Sequence, residues 1–332
     1  MYDKLRPLEF QGAFKDHLKA FVEQKRGIGL KYGNKTVQML NRFDKFSMNY
    51  DCSAGLSKEM ALAWTERPSY QARATQENRI SLIRQFAIFL QRNEISACVL
   101  PVCNSSEFYR TKPYIFTECE VGQIFAAADA FPFRKESPLR HLIMPLIFRM
   151  LYCCGLRISE ALKLRVADVN LEQGILEVLD AKGQRDRIVP IDEQLRIRCA
   201  EYFQLVHGSP TPGGYFFPSP YGGYYDESTV YHAFRQVLAK CRISHGGRGK
   251  GPRLHDLRHT FAVHSFRKFI AAGRDPMEIL PVLAAYLGHK TYAGTIHYLH
   301  LVPEVFPEIT GSVEKLYGCL IPTLGGEASE AD

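Results

Sequence analysis

Apolar positions recur at helical spacing through the first hundred residues. Phe10, Phe14, Leu18 and Phe21–Val22 form one stripe, and Val37, Leu40, Phe43 and Phe46 form a second that opens after the Gly33–Asn34 break. A third helix is expected after Ser57, whose hydroxyl can cap a segment carrying Glu59 in its first turn. A fourth is predicted from about Thr75 to Arg92, with Ile80, Ile83, Phe86–Ala87 and Leu90 on one face. Arg73 precedes it, Arg79 lies at its apolar edge, and Arg84 and Arg92 fall off that face. Periodicity lapses from Ile95 to Thr117, where Pro101, Asn104, Ser105–Ser106 and Pro113 read as a linker.

Beyond it the pattern changes. Thr117 and Glu120 fit a capping box ahead of Val121, Ile124–Phe125 and Ala128. Leu139–Cys154 is almost continuously apolar and predicts a buried helix started or kinked at Pro145 and ended by Gly155; another helix starts near Ser159. Ile175–Leu179 and Arg187–Ile191 read as strands of a hairpin, with Gly183 and Lys182 in the connection. The Gly/Pro/Tyr-rich span 208–223 reads as a loop and Ser228–Arg242 as a helix. The expected fold is α+β and mostly helical: an all-α domain over 1–106, a second domain with a small antiparallel sheet over 107–311, and a C-terminal segment over 312–332.

Composition agrees with a globular chain, at 46% hydrophobic and 23% charged residues over 332 positions. Its apolar runs are too short for a membrane span, and the opening M-Y-D-K-L-R-P lacks a signal-peptide core, so a cytoplasmic location is expected. Nine scattered cysteines without a C-x-x-C pair argue against a disulfide framework and a zinc ribbon. The net charge of +7 divides as +6, +4 and −3 over 1–106, 107–311 and 312–332, a basic body suited to a polyanion. Charge is densest over 235–268, with nine Lys/Arg against the single acid Asp256. Here G-G-R-G-K-G (246–251) lacks the spacing of a phosphate-binding P-loop and reads as a mobile basic loop. Arg248, Lys250 and Arg253 in this run, with Arg73, Arg79 and Arg84 upstream, are the candidate DNA-contacting cations; a solvated surface is the alternative for the upstream arginines.

Metal-free phosphoryl transfer needs cations for the phosphate, an acid for the leaving oxygen and a nucleophile. Arginine suits the first task, because its planar fork holds two oxygens and stays protonated. The acids Asp256 and Asp275 are isolated, which speaks against a two-metal site. His255 and His259 have the i,i+4 spacing of metal ligands, but Asp256 replaces the glutamate of H-E-x-x-H and no third ligand is evident. No cofactor or metal is expected.

G-L-R-I-S-E (155–160), K-G-Q-R-D-R-I-V-P (182–190), H-D-L-R-H (255–259), L-G-H (287–289) and Tyr298 together resemble, in order and spacing, the tyrosine recombinases of the phage integrase family. The resemblance implies that Arg157 and Arg258 clamp the scissile phosphate, Lys182 protonates the leaving 5′-oxygen, and His255 assists proton transfer. It further implies that His289 hydrogen-bonds the phosphate, Glu160 orients its neighbours and Tyr298 attacks, leaving a 3′-phosphotyrosine and passing through a Holliday junction. Arg185 and Arg187 are alternatives to Lys182, and Tyr292 competes with Tyr298. The interval from Arg258 to His289 is longer than usual in the family, with Gly273, Asp275–Pro276 and Pro281 suggesting an extra turn. Implied partners are double-stranded recombination sites, three further copies of the chain in a tetramer and accessory proteins, with no membrane. The apolar run Ser312–Ile321 would dock on a neighbouring protomer. A type IB topoisomerase and a catalytically silent DNA-binding protein are the competing readings.

Overall fold

The computed structural model describes residues 7–102, 112–179, 186–208, 213–247, 251–289, 293–296 and 298. The chain forms two compact units that divide between residues 110 and 111, four positions after the boundary expected from the sequence.

The first unit is helical: α1 (Lys15–Gly27), α2 (Asn34–Ser47), α3 (Lys58–Thr65) and α4 (Arg73–Arg92). Their apolar stripes meet in one core in which Phe14, Phe21 and Phe43 contact Phe86, all edge-on, at 5.7, 5.4 and 6.0 Å between ring centres. Such packing adds a quadrupolar preference to the burial itself. Ser57 caps α3 by accepting the Met60 N–H at 3.1 Å. The first stripe's helix starts at Lys15 rather than Phe10, because the Gln11 and Gly12 N–H groups donate instead to the buried Asp44 carboxylate, each at 2.7 Å. The span expected to be a linker is ordered at its start: Leu56 and Ala97 pair as a parallel bridge, and Ala97 and Leu100 are buried.

The second unit is built around α6 (Arg140–Cys153), which packs against α5 (Glu118–Asp129), α8 (Glu193–Val206) and α10 (Leu254–Ala271). The Thr117–Glu120 capping box forms, with Glu120 N–H to Thr117 Oγ1 at 3.2 Å and Thr117 N–H to Glu120 Oε2 at 2.8 Å. Helix α6 starts five residues before Pro145 and runs through it. After α7 (Ile158–Lys163) and a 3-10 turn (Val166–Asp168), strands β1 (Val169–Asn170), β2 (Ile175–Val178) and β3 (Arg187–Pro190) form an antiparallel sheet in that order. Leu176 faces Val189 across β2–β3, both buried. Helix α8 was not expected; Asp192 caps it by accepting the Leu195 N–H at 3.0 Å. In the expected loop, Phe216 and Phe217 are fully buried, which ties that span into the core.

Helix α9 (Glu227–Lys240) precedes α10; α11 (Pro276–Leu287) and the short α12 (Ala293–Ile296) follow it. The extra turn inferred between Arg258 and His289 is the α10–α11 connection, where Gly273 has φ +75° and Asp275 caps α11 through the Met277 N–H. Among the described residues no helix is long and apolar enough to cross a membrane.

Candidate active site

The site begins where α6 ends. Gly155 takes φ +57°, and a Cβ there would sit 2.5 Å from the Phe261 ring, so this tight turn accepts only glycine. The turn delivers Arg157 to the N-terminus of α7, where its own N–H donates to Glu160 Oε2 at 2.8 Å. Helix α10 brings in Arg258, which is 1% exposed and donates to Gly155 O at 2.6 Å.

Three guanidinium groups then meet the C-terminus of α11. Arg187 donates to Tyr286 O at 2.9 Å, Arg258 to Leu287 O, and Arg157 to Gly288 O at 3.2 Å. Carbonyls at a helix C-terminus lack intrahelical partners and carry the negative end of the dipole, so they gather cations. Gly288 closes α11 in the left-handed region at φ +64°. Glu160, 8% exposed, balances the cluster: Arg157 donates to its Oε1 at 2.6 Å, Arg187 reaches both oxygens at 3.1 and 2.8 Å, and Arg258 lies 3.8 Å away. Burial favours the neutral acid, but hydrogen bonds from Arg187 and Arg157 outweigh it and hold the carboxyl at about 2. Three cations against one anion leave an excess of positive charge.

Tyr298 is 1% exposed and packs with Val263, Phe266 and Leu287. Its hydroxyl hydrogen-bonds Nδ1 of His259 at 2.9 Å, and its ring stacks on His289 with centres 6.3 Å apart. Burial pushes the phenol up to about 12, against the pull of Arg258 and Arg157. His289 Nδ1 meets Thr295 Oγ1 at 2.7 Å; burial and then Arg258 and Arg157 hold its pKa down to about 4. His255 lies edge-on to His259 at 4.6 Å. Its crowded surroundings, and then Arg258, Arg157 and Arg253, depress it to about 4.

Arg157, Glu160, Arg258, His289 and Tyr298 thus converge around α7, α10 and α11, with His255 beside His259. Lys182, Arg185, Arg248, Lys250 and Tyr292 lie outside the described residues. Arg253 is spent partly on α10's own N-terminus, its N–H and side chain both donating to Asp256 at 2.8 and 3.2 Å. In the first unit, Arg79 donates to Trp64 O at 2.7 Å and to Gln71, Arg73 pairs with Glu77 at 3.3 Å, and Arg84 has a buried Nε.

Two further residues join the site: Arg187, an alternative to Lys182 by sequence, and His259, whose sequence spacing suggests only a metal-ligand pair with His255. A signal for Arg187 was present: strand alternation places it on the same face as buried Val189, while Ile188 points out at 62% exposure. For His259, helical spacing puts it one turn from His255 and beside Arg258. Among the described residues, no group of three or more His, Cys, Asp or Glu side chains is placed to hold a metal ion.

Comparison with known proteins bears on this arrangement. The chain is 28% identical to a putative integrase/recombinase of Sinorhizobium fredii over 91% of its own length and 97% of the relative's. It is 29% identical to the tyrosine recombinase XerD of Pseudomonas aeruginosa over 72% of this chain and 75% of that one. Its fold is similar to that of the XerH site-specific recombinase solved on its difH substrate, with TM-score 0.62, 18% identity and coverage of 88% of this chain and 83% of that one. The Tn1549 transposon integrase solved with transposon right end DNA gives TM-score 0.60 at 17% identity, covering 90% and 99%. The profile of the phage integrase family matches residues 115–304, well over half the sequence, and the chain belongs to that family, the tyrosine-type site-specific DNA recombinases.

Proposed function

We propose that the chain cuts and rejoins DNA at specific recombination sites with Tyr298 as nucleophile. The observation that carries this is the meeting of Arg157, Arg187 and Arg258 around one carboxylate, within electrostatic reach of a buried tyrosine hydroxyl. In this reading Arg157 and Arg258 turn donors toward the non-bridging oxygens of the scissile phosphate and stabilise the charge that develops there. Glu160 holds the Arg157 fork by a hydrogen bond and lies 3.8 Å from that of Arg258. His255 and His289, neutral at ordinary pH, supply hydrogen bonds and proton relay without adding charge.

Attack by the Tyr298 oxygen forms the 3′-phosphotyrosine and releases a 5′-hydroxyl, with Lys182 protonating the leaving oxygen. The ester keeps the energy of the phosphodiester, so a 5′-hydroxyl from another duplex can reverse the step and carry strands into a Holliday junction. The basic run over 235–268, together with Arg73 and Arg84, supplies phosphate contacts that set register on the duplex, while Arg79 is held by Trp64 and Gln71 within its own unit. Four copies act together, each C-terminal segment docking on its neighbour.

The test is covalent capture. The full-length chain first selects its site from a random-sequence duplex pool, and a nicked version of that site then traps the intermediate. Wild-type protein is expected to give an adduct that survives SDS, and Tyr298→Phe none. An adduct that persists in Tyr298→Phe moves the nucleophile elsewhere, with Tyr292 the next to examine.

A further inference from the structure

The phenol of Tyr298 is protonated at any pH at which the protein would act, since burial holds it near 12. Attack on phosphorus therefore needs an acceptor for that proton. A histidine touches the hydroxyl, and it is not the one the motif resemblance nominates: Nδ1 of His259 sits 2.9 Å from Tyr298 Oη. The ring planes are tilted by 59° with centres 5.6 Å apart, so the nitrogen meets the hydroxyl at hydrogen-bonding distance rather than through stacking. His255 is one helical turn away and makes edge contact with the His259 ring.

We propose that His259 is a catalytic residue, the general base that takes the Tyr298 proton during cleavage and returns it during religation. This rests on Tyr298 being the nucleophile. In the forward step the Tyr298 O–H bond breaks and its proton passes to His259 Nδ1. The freed electron pair forms the Oη–P bond, the P–O5′ bond breaks, and the leaving oxygen takes a proton from Lys182. In reverse, the incoming 5′-hydroxyl returns its proton to Lys182 as its oxygen bonds to phosphorus, the Oη–P bond breaks, and the departing phenolate recovers its proton from His259. The groups facing this contact are His255 from the same helix, His289 stacked on the Tyr298 ring, and the Arg157 and Arg258 cations. Those cations stabilise the phenolate as it forms, and His259 supplies the place for the proton.

The test uses full-length protein and the nicked suicide duplex described above. His259→Asn keeps a hydrogen-bond acceptor near the position of Nδ1 and removes the base. It is expected to bind the duplex within about twofold of wild type, to cleave about 10²-fold more slowly in single turnover, and to lose the acidic limb of the pH–rate profile. His255→Asn is expected to keep that limb. Near-wild-type cleavage by His259→Asn would make the contact one of position only and overturn the proposal, as would an acidic limb that survives in His259→Asn and disappears in His255→Asn. If His259→Asn does not fold, nitrogen-15 NMR of the wild-type histidine rings decides, with the His259 signal assigned by its change in Tyr298→Phe. An unprotonated Nδ1 at neutral pH is expected, and a protonated Nδ1 overturns the proposal. Absence of any adduct in wild type, or an adduct in Tyr298→Phe, instead removes the nucleophile reading beneath it.

Discussion

Glu160 shows how one residue can govern a site without reacting in it. A carboxylate this deeply buried would ordinarily be costly, and it is tolerated because two arginine forks occupy its oxygens and a third cation lies close by. Its folded-state pKa of about 2 is below the ordinary value of 4.5, so the sign is that of a depressed acid. The stabilisation is fully present above about pH 4.5 and is lost as pH falls through about 2, a contribution on the order of 3 kcal/mol. His255 and His289, depressed from 6.5 to about 4, act in the same direction, since each must take up a proton against nearby arginines as the medium turns acidic. Denaturant unfolding from pH 7 to pH 3 should therefore show a steep loss of stability. Glu160→Gln should flatten the part of that loss that belongs to the carboxylate while lowering stability at pH 7 by about 3–5 kcal/mol, because it leaves buried cations uncompensated. A variant as stable as wild type at pH 7 would refute this account of the cluster.

Between elements, Arg187 is the joint. It leaves β3 for the body of the unit, holds Glu160 on α7 with two donors, and caps Tyr286 O at the end of α11 with a third. In the sequence, Lys182 falls between β2 and β3. Lysine at position 187 would keep the charge and lose the fork. Arg187→Lys is thus expected to lower the denaturation midpoint by an amount equivalent to about 1.5–3 kcal/mol, the usual worth of hydrogen bonds to charged groups. Lys182→Ala should slow cleavage by about 10²-fold and recover when sulfur replaces the leaving 5′-oxygen, which needs less protonation. If β3 positions the hairpin through Arg187, the sulfur substrate should recover part of the Arg187→Lys defect as well. A defect in Arg187→Lys that the sulfur substrate leaves unchanged would confine Arg187 to holding the clamp.

For the whole molecule the governing fact is charge. A chain of net charge +7, with nine cations against one acid over 235–268, should bind duplex DNA with affinity that falls steeply as salt rises. Replacing one phosphate-contacting cation lowers the magnitude of the logarithmic salt slope by about 1. Arg253→Ala and Arg79→Ala make an informative pair, since Arg253 is partly exposed beside Asp256 whereas Arg79 is tied to Trp64 and Gln71 within its own unit. Arg253→Ala should flatten the slope measured by fluorescence anisotropy. Arg79→Ala should chiefly lower the melting temperature of the protein; an effect on the slope alone would reassign Arg79 to the DNA surface.

Much of this protein could be read from its sequence because the relevant interactions are local. Helical stripes, the Ser57 cap and the Thr117–Glu120 capping box follow from spacing of a few residues, and all three are formed. The ordered motifs from Gly155 to Tyr298 marked the family for the same reason, since each is a short local pattern. Helix α8 was missed because its buried Leu195, Cys199 and Tyr202 alternate with the exposed apolar residues Ile197 and Leu205, which blur the stripe. Strand β3 hid Arg187, because its exposed isoleucine and inward arginine invert the usual hydrophobic pattern. Only the tertiary structure decided that three arginines from three separate elements would meet the last carbonyls of α11, and that His259 would be the histidine on the Tyr298 hydroxyl. Those contacts join residues 29 to 131 positions apart, and no local propensity encodes them. They arise because burying the apolar faces of α6, α10 and α11 forces their polar ends together, where every buried donor must find an acceptor.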